Sequence, residues 1–242
     1  MVNFLLLIIL HLIGDFYLQT SKVARCKNAK VSSDCIDCGK CKKGSKLNWK
    51  YIFIHITIYT IPFALLFLMT DWTGVLIITA ILFVSHGIID ALSCFMNKKT
   101  KQTLVFLIDQ FLHTGVLFLI YNLFVFNSVF EEYSIAVRTA FMILMLTVPC
   151  SIFINKLFDD LYPDTVGEKI FDIGSMIGIF ERFLVIIFSY FEEFAAIAII
   201  ITVKTWARTN DLKETNFRNK YLLGTLASLV LALVIFIIGK TI

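Results

Sequence analysis

Charge is scarce in this chain. Only 17% of its 242 residues are Asp, Glu, Lys or Arg, and 58% are hydrophobic, where a soluble domain carries about 25% charge. Proline, at three residues, is nearly absent, so little interrupts the apolar runs. There is no Gly-rich phosphate loop, no Ser or Cys nucleophile motif and no basic–aromatic pattern, which leaves no sign of nucleotide or nucleic-acid binding. The opening segment has neither a basic leader nor a small-x-small cleavage site, so it reads as a retained helix rather than a signal peptide.

What remains is long and apolar. Runs over Tyr51–Met69, Thr73–Phe95, Thr103–Phe126, Ile135–Phe153 and Tyr221–Gly239 each suffice to cross about 30 Å of hydrocarbon at roughly 1.5 Å per residue. Val2–Gln19 adds another, and Phe171–Val203 reads best as two short helices turning near Ser189–Phe194. The expected fold class is all-α, a polytopic transmembrane bundle of about eight helices. It divides into an N-terminal four-helix region over 1–126, with a loop over 20–50, and a C-terminal region over 127–242. Pro62 and Pro149 are expected to kink their helices.

Basic residues set the orientation. Nine Lys/Arg fall in Thr20–Lys50, three in Met96–Gln102, two in Asn155–Asp172 and five in Lys204–Lys220, against only Arg138 and Lys240 on the other side. This asymmetry predicts a multi-pass protein with its large basic loops in the cytoplasm. The net charge of +4 then belongs to loops beside anionic lipid.

Polar residues inside the apolar runs carry the chemistry. HLIGD places His11 and Asp15 four apart, HGIID places His86 and Asp90 four apart, and DQFLH places Asp109 and His113 four apart in reverse order. Side chains four apart stack on one helix face, so each run presents an imidazole beside a carboxylate. The aspartates lie roughly 7–12 Å from the cytoplasmic helix ends, the histidines a turn deeper, and His55 falls in the same zone. A carboxylate in a membrane helix costs about 2.5–3.5 kcal/mol on insertion scales. A divalent cation held by neutral imidazole and carboxylate would offset that cost, and Zn²⁺ suits such a ligand set. The predicted ligands are His11, Asp15, His86, Asp90, Asp109 and His113, with His55, Gln19 and Gln110 around them. The competing readings are a proton or ion relay and structural pairing across helices.

The first cytoplasmic loop contains Cys26, Cys35, Cys38 and Cys41 in the spacing C-x8-C-x2-C-x2-C. In a reducing compartment four thiolates point to structural Zn²⁺, or less readily to an iron–sulfur cluster, and the alternative is free thiols on a basic loop. Cys94 and Cys150, in apolar helices, read as packing residues. Glu181 and Arg182 enter the membrane from the same side, with Arg182 a candidate receiver of an anionic headgroup or phosphate. Lys204 and Arg208 read as membrane anchors, and Gly224, Ser228 and Ala232 form a small-residue stripe for close packing within the chain or for a homodimer.

HLIGDFYLQT at His11–Thr20, His55, HGIID and DQFLH resemble an uncharacterised bacterial membrane family known as domain of unknown function 3307. GIFER at Gly178–Arg182, Lys204 with Arg208, and YLLGTLAS at Tyr221–Ser228 resemble its longer members. The resemblance implies a bacterial inner-membrane protein and brings no chemistry of its own; the cysteine loop departs from the family pattern. Membrane helices bearing His and Asp also resemble a family of inner-membrane metal-dependent hydrolases. The expected function is therefore a divalent-metal site near the cytoplasmic face. It would support metal-dependent hydrolysis or transfer on a lipid or lipid-linked phosphate, with Asp15, Asp90, Asp109 and Arg182 as catalytic candidates. A proton- or ion-coupled transporter, and a non-catalytic assembly or signalling protein with a zinc-binding loop, are the other two expectations.

Overall fold

The computed structural model describes residues 1–28, 47–96, 100–162 and 173–241. Among them the structure is helical, without strands. The chain folds as two compact units, Met1–Val137 and Arg138–Ile242.

In the first unit, α1 (Val2–Leu12) runs on through a π turn at Ile13–Tyr17, a local widening often found at functional sites. The chain then bends by 89° into α2 (Ser21–Asn28), where a plain loop was expected. Local residues account for the turn. The Val23 amide donates to Thr20 Oγ1, a capping contact. Val23 and Cys26, one turn apart, pack their small apolar edge on Tyr51 of α3 (Trp49–Thr60). Gln19 braces the same bend, with its amide nitrogen 2.8 Å from the Asp15 carbonyl and its oxygen 3.1 Å from the Ala24 amide.

The α3 helix tightens into a 3-10 stretch, Ile61–Leu68, at Pro62, which has no N–H for the α-helical ladder. Next, α4 (Trp72–Met96) starts at Asp71, whose carboxylate accepts from the Thr73 hydroxyl and the Gly74 amide; these hold it below its ordinary pKa, the hydroxyl most of all. The last helix of this unit's bundle is α5 (Gln102–Leu123).

The apolar core of the first unit lies to one side of the histidines. Leu7 and Leu10 precede His11, Phe63 and Leu66 follow His55, Ile78 and Leu82 precede His86, and Leu117 and Ile120 follow His113. Because helix directions alternate, these positions form one layer, away from α2 and the basic loops. Lipid offers no hydrophobic drive between helices, so close backbone approach has to hold them together. Gly14 provides it: a Cβ there would lie 2.6 Å from the Tyr59 carbonyl oxygen.

The second unit contains most of α6 (Ser134–Leu146), then α7 (Val148–Leu161), broken from it at Thr147 beside Pro149. The expected split of the next stretch is present as α8 (Ile173–Tyr190) and α9 (Phe194–Ala207), joined by a turn in which Glu192 adopts φ 61°. The final helix, α10 (Thr215–Thr241), packs against α7 and α8. Its small-residue stripe is used within the chain. A Cβ on Gly224 would meet Phe158 at 3.1 Å, Ser228 accepts from Arg182, and Ala232 is fully buried. Among the described residues, five helical segments are long and apolar enough to cross a membrane: Trp49–Leu68, Trp72–Met96, Gln102–Leu123, Glu131–Leu161 and Thr215–Thr241. The bent pair Val2–Tyr17 and Ser21–Lys27 would make a sixth.

Candidate metal centre

The three imidazole–carboxylate faces do converge, and His55 completes them. His11, His55, His86, His113, Asp15 and Asp90 are all buried within the first unit. Each arrives on a different wall: α1 with its π turn supplies His11 and Asp15, α3 His55, α4 His86 and Asp90, and α5 His113 and Asp109.

The tightest convergence is around His55, a position the sequence suggested only as a reserve ligand. Its Nε2 lies 2.9 Å from His86 Nε2, 3.1 Å from Asp15 Oδ1 and 3.4 Å from Asp90 Oδ2. His86 Nε2 is 3.9 Å from Asp15 Oδ1 and 3.7 Å from Asp90 Oδ2. One imidazole nitrogen carries at most one hydrogen, so these four atoms cannot all be joined by ordinary pairwise bonds. Ligand atoms about 2.0–2.1 Å from a tetrahedral ion stand about 3.3–3.4 Å apart. The five separations, 2.9–3.9 Å, bracket that spacing.

Two further triples bring one ligand atom from each residue within 4.8 Å of the others, His11 with His86 and His113, and Asp90 with Asp109 and His113. Among the described residues, His55 Nδ1, His86 Nδ1 and His113 Nε2 are buried without a hydrogen-bond partner, an arrangement that buried polar atoms seldom adopt.

A cation is already present. Lys27, on α2, reaches into the cluster and donates to both oxygens of Asp90 at 3.0 and 3.2 Å, with Asp15 Oδ1 at 3.8 Å. Cys94 Sγ donates to the Lys27 carbonyl and fastens that turn to α4. Burial opposes the ammonium charge, and Asp90, Asp15 and Asp109 offset that cost with three carboxylates around it.

Surrounding groups fix the carboxylates. Gln110 Nε2 donates to Asp15 Oδ2 and Asp109 Oδ2, both at 3.1 Å, and its oxygen faces His11 Nε2 at 3.3 Å. Ser93 Oγ donates to Asp109 Oδ1 at 2.5 Å. The Tyr59 hydroxyl meets His11 Nδ1 at 3.2 Å while its ring stacks on His86 at 3.6 Å between centroids.

Sequence reasoning missed Lys27, Tyr59 and Ser93. Tyr59 stands four residues after His55 and Ser93 three after Asp90, so the same-face rule that found the other pairs would have found both. Lys27 gave no such signal, being one of nine basic residues in its segment. Arg182 makes its hydrogen bonds inside the second unit, to Leu146, Ser228 and Ser151.

Of the four loop cysteines, Cys26 is described: it is buried, packed with Val23 against Tyr51. Cys35, Cys38 and Cys41 lie outside the described residues.

No curated protein and no solved structure matches the chain. The sequence signature described as "Protein of unknown function (DUF3307)" matches residues 3–36 and 34–142, two segments that meet inside the cysteine loop. It takes in every residue of the His/Asp cluster and stops short of the motifs in the distal half. The chain therefore belongs to the DUF3307 family.

Proposed function

We propose that the first unit is a membrane-embedded divalent-metal site, facing the cytoplasm, that serves hydrolysis or transfer at a lipid or lipid-linked phosphate. The observation that carries this reading is the crowding of His55 Nε2, His86 Nε2, Asp15 Oδ1 and Asp90 Oδ2 at the mutual spacing of ligands around one ion. Asp15, His55 and His86 would hold the ion, and Asp90 becomes the fourth ligand when Lys27 releases it. Two imidazoles with one or two carboxylates suit Zn²⁺ or Mn²⁺. A bound ion of this kind supplies a polarised phosphoryl oxygen and a water acidic enough to react near neutral pH.

The chain's own residues have distinct tasks. Gln110 holds the second oxygen of Asp15, leaving the first turned toward His55. Asp109, oriented by Ser93 and Gln110 and the more exposed of the three carboxylates, is placed to take a proton. Lys27 is the cation available to an anionic substrate, the task the sequence suggested for Arg182. The apolar layer of Leu7, Phe63, Ile78, Leu82 and Leu117 closes the side away from α2, so substrate would enter from the α2 side.

One observation favours a second reading, a proton relay. Tyr59, His11, Gln110, Asp15 and Asp109 form a continuous hydrogen-bonded chain. The same apolar layer ends that chain on one side and weighs against a path through the membrane.

Elemental analysis of purified protein tests the metal reading. Wild type is expected to carry a stoichiometric divalent metal that His55→Ala and His86→Ala lose and Cys38→Ser retains. Metal absent from folded wild type after growth and purification with added zinc or manganese refutes it. Metal lost only with Cys38→Ser moves the site to the loop.

A further inference from the structure

A single ion leaves part of the cluster without a task. His113, on α5, is 3% exposed and stands outside the ligand set of the proposed ion. Among the described residues its Nε2 has no hydrogen-bond partner. The nearest carboxylate oxygen one turn earlier, Asp109 Oδ2, is 3.7 Å away, too far for a hydrogen bond. An imidazole nitrogen buried this deeply and left unpaired is costly, and Asp109 alone does not relieve it.

Asp90 faces two ways. Its Oδ2 lies 3.4 Å from His55 Nε2 and 3.7 Å from His86 Nε2, toward the proposed ion. Its Oδ1 is the oxygen closest to Lys27 Nζ, at 3.0 Å. One ligand atom each from Asp90, Asp109 and His113 lies within 4.8 Å of the others. An octahedral ion with contacts of about 2.1 Å draws neighbouring ligands to about 3.0 Å and opposed ones to about 4.2 Å. Asp109 Oδ2 and His113 Nε2, at 3.7 Å, already stand inside that range. This corner also attracts a cation, since Lys27 is held by Asp90 and drawn by Asp109 as well.

We infer that the centre takes a second divalent ion, held by Asp90, Asp109 and His113, which enters together with the dianionic terminal phosphate of its substrate. The inference rests on the metal reading above. Asp90 would join the two ions, one oxygen to each, once Lys27 turns to the substrate. A carboxylate has about four lone-pair positions, so Asp109 can bind the ion through one oxygen and still accept a proton.

Charge fixes the class of phosphate. Three carboxylates against Lys27 leave two negative charges, and the first ion removes them. A second divalent ion then brings two positive charges into a buried site, where uncompensated charge is costly. A phosphate monoester, with two negative charges, balances them. A phosphodiester, with one, does not.

Manganese is the probe. The purified full chain, in nanodiscs of neutral lipid, is titrated with Mn²⁺ and followed by electron paramagnetic resonance. Without phosphate, one ion per chain with the spectrum of an isolated Mn²⁺ is expected. Inorganic phosphate, or phosphatidic acid in the nanodisc, should bring in the second ion. Two ions about 3.5–4 Å apart couple their spins, giving a multiline spectrum with half the hyperfine spacing. Phosphatidylglycerol, a diester, should not produce it. Asp109→Asn and His113→Gln should each lose the second ion and keep the first, and either one that folds suffices.

One uncoupled ion per folded chain, with or without phosphate, overturns the inference and leaves the metal reading standing. No ion under any condition overturns both. A coupled pair that survives both variants puts the second ion elsewhere and overturns the ligand assignment. Coupling induced by phosphatidylglycerol refutes the dianion. Coupling with inorganic phosphate and not with phosphatidic acid supports the second ion and makes its phosphate a soluble one.

Discussion

Lys27→Met is the most informative single change, because wild type holds a tethered cation where the proposed ion needs a ligand. The ammonium donates to both Asp90 oxygens at 3.0 and 3.2 Å and lies 3.8 Å from Asp15. Hydrogen bonds to charged groups are worth about 1.5–3 kcal/mol. If an incoming ion must take Asp90 from Lys27, its apparent affinity is lowered by that amount, about 10- to 150-fold. Lys27→Met keeps much of the apolar stem and deletes the charge, so it should tighten metal binding by that factor. The same change should weaken the metal-free protein. Removing one partner of a buried pair costs about 3–5 kcal/mol, since Asp15 and Asp90 then share the site with no cation between them. The signature is a reversal. In chelator the variant melts below wild type, and saturating zinc or manganese returns most of the loss. Titration against a competing chelator gives the affinity ratio, and melting with and without metal gives the stability arm. A Lys27→Met protein that is folded, binds metal no more tightly than wild type and melts identically in chelator and metal would refute the reasoning.

Other consequences follow from single contacts. Gly14→Ala places a Cβ 2.6 Å from the Tyr59 carbonyl; it should cost about 1–3 kcal/mol in thermal or denaturant unfolding and weaken metal binding by moving Asp15. Tyr59→Phe deletes the hydroxyl facing His11 Nδ1 and should cost about 1 kcal/mol while leaving metal stoichiometry intact. Ser93→Ala frees one oxygen of Asp109; any phosphate-transfer activity should fall with metal content unchanged, which separates orientation of the base from loss of the ion. Ala232→Leu, at a fully buried position of α10, should destabilise the second unit by about 1–3 kcal/mol and leave metal binding in the first unit unaffected.

The architecture was legible because its signals are repetitive. Apolar runs located the spans, and the i, i+4 pairs gave the inward faces of α1, α4 and α5 without any knowledge of their packing. The split near Ser189–Phe194 was also legible, since Glu192 and Glu193 interrupt an otherwise apolar stretch. His55 was found only as a neighbour, because no carboxylate shares its helix face and its role depends on how α3 packs against α4. The 89° turn into α2 was hidden for a similar reason. SKVARCKN looks like a basic loop until Val23 and Cys26 have Tyr51 to pack against. Periodicity within one helix reports one face, while a site assembled by four helices depends on their relative rotation.

Counting charge explains why this layer can exist inside an apolar bundle. With its imidazoles neutral, the cluster holds three carboxylates and one ammonium, Asp15, Asp90 and Asp109 against Lys27. Three negative charges with one positive leave a formal excess of two, and one divalent cation removes it while Lys27 stays nearby. A relay would settle the same imbalance differently, by protonating carboxylates or imidazoles one at a time, and would need no site where four ligand atoms meet. The two mechanisms therefore diverge in one measurement on wild type. Metal binding to a site already short of two positive charges should release few protons, whereas a relay neutralised by protons must release them for the ion to enter. Calorimetric titration in buffers of different ionisation enthalpy counts those protons. A release of about two per ion, matching the excess charge, would mean that protons neutralise the metal-free layer and would favour the relay.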